Sequence, residues 1–248
     1  MVIFLPLNTK RLIQRYKNLK IGKYKIQCPY FQNIAKKNGR SVYIGKGLPG
    51  EIEMQTEILF KSLGKDLNSP DPSTIRHYMV MAGLGIDCSG FAVRIIDNLL
   101  REKGTGSIRK NLRPNHSLLS LIRFFFRPYT NLSAANLTSN VNCIKVKNIK
   151  DVLPGDLIKI GKGHVALVTK VKKENNKVKK INYCHSTSDY YELHGVRSGE
   201  IIISSNSNSL SKQKWTEYYR GRNWMLEDYL KANKNERGIR RLKTSKSL

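Results

Sequence analysis

The cysteines and histidines of this sequence are spaced so that their side chains could act together in a reaction. Cys88 stands in the run GIDCSGF at 85–91, and apolar residues recur at helical spacing over 91–100. This pattern predicts a buried helix with Cys88 in its first turn. Unpaired amides and the positive end of the helix dipole would there stabilise a thiolate and a neighbouring oxyanion. Cys88 is therefore a candidate nucleophile, although most free cysteines are simply buried apolar side chains.

Two histidines follow on predicted strands. The run LPGDLI at 153–158 predicts a turn entering a strand, and GHVALV at 163–168 predicts the next strand of a hairpin. Alternation puts His164 on the face of the small apolar residues of its strand, which we expect to meet a covering helix. His185 ends a third strand. Two histidines could then face one thiol. Cysteine catalysis needs such a set: the thiol is the nucleophile, one imidazole accepts its proton, and a third polar group orients that imidazole.

These motifs resemble those of the NlpC-type cysteine peptidases, papain-like enzymes that cut the peptide stems of bacterial cell wall. The matching runs are DCSGF at 87–91, PGDLI at 154–158, GHVALV at 163–168, and His185 followed by small polar residues. They occur in the order of the family, and the resemblance covers residues 71–205.

The resemblance implies a role for each matching residue. Cys88 would be the nucleophile, His164 the general base and His185 the orienting third residue, while the amides of Cys88 and Ser89 would hold the oxyanion. His194 is the alternative third residue, but His185 is preferred for its place at a strand end. The resemblance implies no organic cofactor and no metal. The other three cysteines have no metal-site spacing, and a disulfide among them stays open.

The substrate groove is where the sequence departs from the family. Members usually carry an aromatic-Gly-Gly segment shortly before the cysteine, whose tyrosine lines the groove, whereas residues 77–83 here predict a helix. The nearest similar run is VYIGKG at 42–47. Either Tyr43 reaches the groove across an inserted helix, with Asp87 beside the cysteine, or the groove is built differently.

Positive charge is concentrated at both ends of the chain. The 45 Lys and Arg outnumber the 18 Asp and Glu, for a net charge of +27. Residues 1–50 contain 11 basic and no acidic residues, and 231–248 contain 7 basic residues and one acid. Such a field attracts anionic polymers, whether nucleic acid, acidic lipid or wall polymer. The alternative is the codon bias of an AT-rich genome, which abundant Lys, Asn and Ile also suggest.

We expect an α+β fold of the papain-like NlpC type, with helices packed on a central antiparallel sheet. Three parts are predicted: a basic N-terminal extension over 1–70, with a strand at 40–44 and a helix at 52–63; a peptidase-like domain over 71–205; and a linker with an aromatic, basic segment over 206–248. The domain would begin with a helix capped by Asp71 or Ser73 and ending at Met81. Its basic insertion, about 102–142, is too long for a structureless loop and should contain a helix.

The function expected from these observations is that of a thiol hydrolase acting on an amide bond, with peptidoglycan stem peptides as the implied substrate. An acyltransferase or amidase on the same scaffold, or a non-catalytic module that binds anionic polymers, are the alternatives. No run approaches the ~18 apolar residues of a membrane-spanning helix. Residues 1–7 are too short for the apolar core of a signal peptide. A cytoplasmic location is the default expectation, and the cell envelope or exterior follows if another export route operates.

Overall fold

A computed structural model describes residues 1–32, 41–114 and 118–244. Helices and strands are mixed along the chain. The helices are Leu7–Lys17 (α1), Pro49–Ser62 (α2), Pro72–Met81 (α3), Cys88–Glu102 (α4), Ile108–Asn111 (α5), Leu118–Phe126 (α6), Ala134–Leu137 (α7) and Trp224–Lys231 (α8). The strands are Val2–Phe4 (β1), Leu19–Ile21 (β2), Tyr24–Ile26 (β3), Cys143–Val146 (β4), Leu157–Ile160 (β5), His164–Glu174 (β6), Lys177–Thr187 (β7), Gly195–Ile202 (β8), Lys214–Trp215 (β9) and Arg237–Leu242 (β10).

A central antiparallel sheet organises the molecule, as the sequence predicted. Its strand order is β4-β10-β5-β6-β7-β8-β9, and β1 pairs with the outer half of β6. The C-terminal strand β10 lies inside the sheet, with Ile239 opposite Val146 on one side and Ile158 on the other. β10 therefore joins β4 to the rest of the sheet.

The two faces of the sheet carry different parts of the core. Val165 and Leu167 face a cluster that contains the buried side of α4, whereas Ala166 and Val168 face a cluster built around Trp215 and α8. The period-2 alternation of strand side chains produces this division. The helix expected to cover the His164 face of this strand is α8, and the cysteine helix α4 packs on the opposite face.

The predicted N-terminal extension belongs to the domain core. Tyr16 is fully buried, its ring packs edge-on against Phe91 with centroids 5.5 Å apart, and its hydroxyl donates to the Gly47 carbonyl at 2.8 Å. The strand expected at 40–44 is wrong over its described residues. Ser41–Ile44 is a 3-10 turn that the Lys46 amide closes on the Ser41 carbonyl, and Arg40 lies outside the described residues.

The helices of the middle of the chain follow the sequence closely. α2 covers the helix expected at 52–63, and α3 begins at the predicted cap, where the Asp71 carboxylate accepts from the amides of Ser73 and Thr74. The insertion contains α5, α6 and α7. Across residues 1–32, 41–114 and 118–244, no helix has the length and apolar composition needed to cross a membrane.

Candidate active site

Helix α4 begins at Cys88, as its hydrophobic pattern predicts. The Asp87 carboxylate caps it by accepting from the Gly90 amide at 2.6 Å, and the apolar residues from 91 to 100 are buried. Gly90 has no space for a side chain, because a Cβ there would overlap the carbonyl oxygen of Gly45. The backbone of residues 45–46 thus presses directly against the turn that carries the cysteine.

The Cys88 thiol lies against the first residues of β6. Its Sγ donates to the Gly163 carbonyl at 3.3 Å, and the Val165 amide donates towards the sulfur. The thiol therefore contacts the peptide groups on both sides of His164. Cys88 is 6% exposed, whereas the other cysteines are at most 2% exposed, so it is the thiol nearest to solvent.

The expected thiolate does not form at rest in this structure. Burial, followed by the neighbouring Asp87 carboxylate, raises the pKa of Cys88 to about 12, although the Lys46 ammonium lowers it. Burial also raises the pKa of Cys143 to about 12 and of Cys184 to about 11. The pKa therefore does not distinguish Cys88 from the other cysteines, because desolvation raises the pKa of its thiol more than the helix N-terminus lowers it.

The two predicted histidines meet on neighbouring strands. His164 Nε2 lies 2.9 Å from His185 Nδ1, and the rings pack edge-on with centroids 5.1 Å apart. The rival His194 lies elsewhere, where its Nδ1 accepts from the Tyr30 amide at 3.0 Å. Geometry thus brings His185, and not His194, to His164.

Glu217 completes this cluster and was not identified from the sequence. Both of its carboxylate oxygens lie 3.1 Å from His185 Nε2, and the same carboxylate accepts from the Tyr183 hydroxyl at 2.8 Å and from Arg197 Nε at 3.0 Å. Burial alone would raise the pKa of Glu217, but His185 and the hydrogen bonds from its three neighbours lower it to about 2. Glu217 is therefore an ionised, buried acceptor.

The protonation of His185 decides where the His164 proton resides. An ionised Glu217 only accepts, so His185 Nε2 carries a proton, and in neutral His185 the Nδ1 atom is then an acceptor. His164 Nε2 donates to it when His185 is neutral, and accepts from it when His185 is protonated. Burial, followed by the neighbouring His185, lowers the pKa of His164 to about 3, so its imidazole is neutral. With neutral His185, the lone pair of His164 is on Nδ1, the nitrogen that is not bonded to His185.

The two predicted groove residues are engaged elsewhere. The Asp87 carboxylate accepts from Lys46 Nζ at 2.8 Å, from the Ser89 hydroxyl at 2.8 Å and from the Gly90 amide. The Tyr43 hydroxyl donates to Gln55 on α2. Asp87 therefore holds the N-terminus of α4, and the Tyr43 ring is bound to a neighbouring helix.

A different tyrosine, Tyr30, is electrostatically coupled to the thiol. Burial raises the pKa of Tyr30, and the nearby Cys88 and Asp87 raise it further. The Ile86 amide donates to the carbonyl of Pro29 at 3.0 Å, which holds this segment against the residues that precede the cysteine. No local pattern around Tyr30 indicates this position, because it depends on a pairing between distant segments.

Metal ligation is not a feature of the described site. Within the ranges that the structure describes, no group of three or more His, Cys, Asp or Glu side chains could hold a metal ion. All four cysteines are free thiols.

Comparison with known proteins returned no relative. No family model, no curated protein and no solved structure matches this chain. The chemistry that the site can perform therefore has to follow from the geometry of its own residues.

Proposed function

We propose that this chain is a thiol hydrolase of the NlpC type, which cleaves an amide bond with Cys88 as nucleophile, His164 as base and His185 as orienting residue. The observation that carries the proposal is the hydrogen-bond chain from Glu217 through His185 to His164, together with the contact of the Cys88 thiol with the peptide groups that flank His164. Burying polar groups costs free energy unless they are paired. Their convergence from distant parts of the sequence at a helix N-terminus therefore supports a chemical role.

The reaction starts from an uncharged pair. As Cys88 Sγ attacks the substrate carbonyl, its proton passes to Nδ1 of His164, because a thiol with a raised pKa does not ionise beforehand. The amides of Cys88 and Ser89 stabilise the oxyanion at the start of α4. His164 then returns the proton to the leaving amine. The same imidazole takes a proton from the water that hydrolyses the thioester, which restores the thiol.

Glu217 acts on this reaction through His185. Proton transfer makes His164 cationic, and the buried carboxylate stabilises that charge across the intervening imidazole. Arg197 and Tyr183 keep the carboxylate in place by donating to it. The motif resemblance supports peptidoglycan stem peptides as the substrate.

The proposal is tested with purified protein and cell-wall muropeptides, with products detected by mass. Cys88→Ser should lower hydrolysis by at least ~10³-fold, because a serine hydroxyl is a much weaker nucleophile in this setting. Cys143→Ser is the matched control: Cys143 is another buried thiol that donates to a backbone carbonyl, that of Leu137 at 3.2 Å. Equal activity of Cys88→Ser and Cys143→Ser, or the absence of any cleaved amide with the wild-type chain, would refute the proposal.

A further inference from the structure

Helix α6 exposes an unusual amount of apolar surface. Phe124 is 5% exposed and attaches the helix to the core. The remaining large apolar side chains whose burial is described point outwards and are between 43% and 72% exposed: Leu119, Leu121, Ile122, Phe125 and Phe126. A helix that is apolar on nearly all its faces is normally buried in a core or in lipid. Contiguous exposed apolar side chains of this kind mark an interaction surface.

The sequence on both sides of α6 carries only positive charge. Residues 103–150 contain nine Lys and Arg and no Asp or Glu. Arg123 and Arg127 are exposed at the helix, and the Arg109 guanidinium lies 5.9 Å from the centre of the Phe125 ring. A second copy of the chain would bring the same cations face to face, which is unfavourable. An anionic surface with an apolar interior satisfies both properties.

Contacts between α4 and the residues just after α6 hold this helix on the domain. Just after α6, the Tyr129 hydroxyl donates to Asp97 on α4 at 2.8 Å, and the Arg94 guanidinium stacks 3.7 Å from the Tyr129 ring. The Phe125 and Phe126 rings pack edge-on with centroids 5.5 Å apart, so they project as a pair. A nine-residue helix is ~14 Å long, far below the ~30 Å of a bilayer core. It can lie in the interface but cannot cross it.

We propose that α6 docks the protein on a membrane surface that contains anionic lipid. Phe125 and Phe126 enter the boundary between headgroups and acyl chains, while Arg123 and Arg127 contact lipid phosphates. The proposal does not depend on the chemistry of Cys88.

Vesicle flotation of the full chain tests this surface. Vesicles of phosphatidylcholine with phosphatidylglycerol should carry the wild-type protein upwards, and phosphatidylcholine alone should carry much less. The double variant Phe125→Ser/Phe126→Ser should lower partitioning by at least ~10-fold without changing the charge. Arg123→Gln/Arg127→Gln should weaken binding to the anionic vesicles specifically.

The matched control is Met54→Ser/Met81→Ser, which removes two exposed apolar side chains from α2 and α3. This control should float like the wild type, and all variants should hydrolyse a small soluble peptide at the same rate as the wild type. Unchanged flotation of Phe125→Ser/Phe126→Ser would refute insertion and leave only charge attraction. A wild-type dimer that this double variant dissociates would instead identify a second copy as the occupant.

Discussion

Cys88 is buried and His164 is half-buried, and this sets the chemistry available to them. Burial disfavours the charged form of each group, so it raises the pKa of the thiol to about 12 and lowers that of the imidazole to about 3. With these pKa values, the thiol and the imidazole are both neutral near pH 7. The Asp87 carboxylate raises the pKa of the Cys88 thiol because it is an anion, and the Lys46 ammonium lowers this pKa because it is a cation.

The thiol pKa predicts how Cys88 reacts with iodoacetamide. Its alkylation rate should keep rising from pH ~7 to ~10, because the thiolate fraction grows tenfold per pH unit below a raised pKa. Lys46→Met should slow the reaction, since it removes the cation that lowers this pKa. Lys61→Met, at the exposed end of α2, is the control and should react normally. A rate that levels off near neutral pH would contradict the raised pKa.

Glu217 should act as a positioning residue. Glu217→Gln should lower kcat by roughly 10²-fold or more with little change in KM, because the amide cannot stabilise the His164 cation through His185. Glu200→Gln is the control, since Glu200 accepts from Lys180 and Asn182 and contacts neither histidine.

A structural effect of Glu217→Gln is separable by its pH dependence. If Glu217 acts on His164 through His185, kcat should fall at every pH at which the variant keeps the wild-type melting temperature. A loss of activity that follows only the loss of folded protein would assign Glu217 a purely structural role.

At the scale of elements, the start of α4 depends on close contact with the segment before α2. The Asp87 amide donates to the Gly45 carbonyl at 3.0 Å, and the buried Lys46 ammonium pairs with the Asp87 carboxylate. Both contacts need the two backbones to approach closely, which the absence of a side chain at Gly90 permits. The run at 42–47 thus supports the start of α4 through Gly45 and Lys46.

Gly90→Ala tests this contact. Its Cβ would overlap the Gly45 carbonyl, so the free energy of unfolding should fall by ~1–3 kcal/mol, and Cys88 should become more accessible to alkylation. Gly50→Ala, near the start of α2, is the matched helical control because its Cβ would meet atoms at 3.7 Å or beyond. It should be neutral or stabilise the fold by up to ~1 kcal/mol. Equal denaturation midpoints for the two variants would contradict the close approach.

At the scale of the whole molecule, both ends of the chain are integrated into one fold. β1 extends the sheet beside β6, α1 packs on α4, and β10 lies between β4 and β5. The Arg241 guanidinium also binds the Asp156 carboxylate at 2.7 and 2.8 Å, which joins β10 to the turn before β5. The positive charge of residues 1–26 is therefore displayed on a structural part of the domain.

Deleting residues 1–26 should abolish cooperative unfolding. The deletion removes six fully or almost fully buried apolar side chains: Leu5, Ile13, Tyr16, Leu19, Ile21 and Ile26. At ~1.5–3 kcal/mol each, their loss rivals the whole stability of a typical domain, ~5–15 kcal/mol. Circular dichroism during thermal unfolding measures this, and a truncated chain with a wild-type melting transition would contradict it.

Lys20→Gln/Lys23→Gln/Lys25→Gln is the control that keeps the core, because all three lysines are exposed. It should unfold like the wild type. It also tests the predicted attraction to anionic polymers without loss of structure, since affinity that depends on these charges should fall and lose part of its salt dependence.

Local patterns in the sequence determined much of this protein. The apolar spacing after Cys88, the cap at Asp71 and the alternation through 157–185 correctly predicted α4, α3 and the central strands. These features follow from interactions between residues a few positions apart, so a short window of sequence contains their causes. The strands predicted at 163–168 and before His185 likewise placed two histidines close to each other, as His164 and His185 are in the structure.

Only the tertiary structure decided which groups surround that pair and how they ionise. Glu217 and Tyr30 reach the site through contacts with residues far away in sequence, and no local pattern marks either of them. The orientation of β6 against α4 depends on which sheet face each cluster covers. The pKa of Cys88 depends on how many atoms exclude water from it, and burial there outweighs the helix N-terminus that the sequence makes visible.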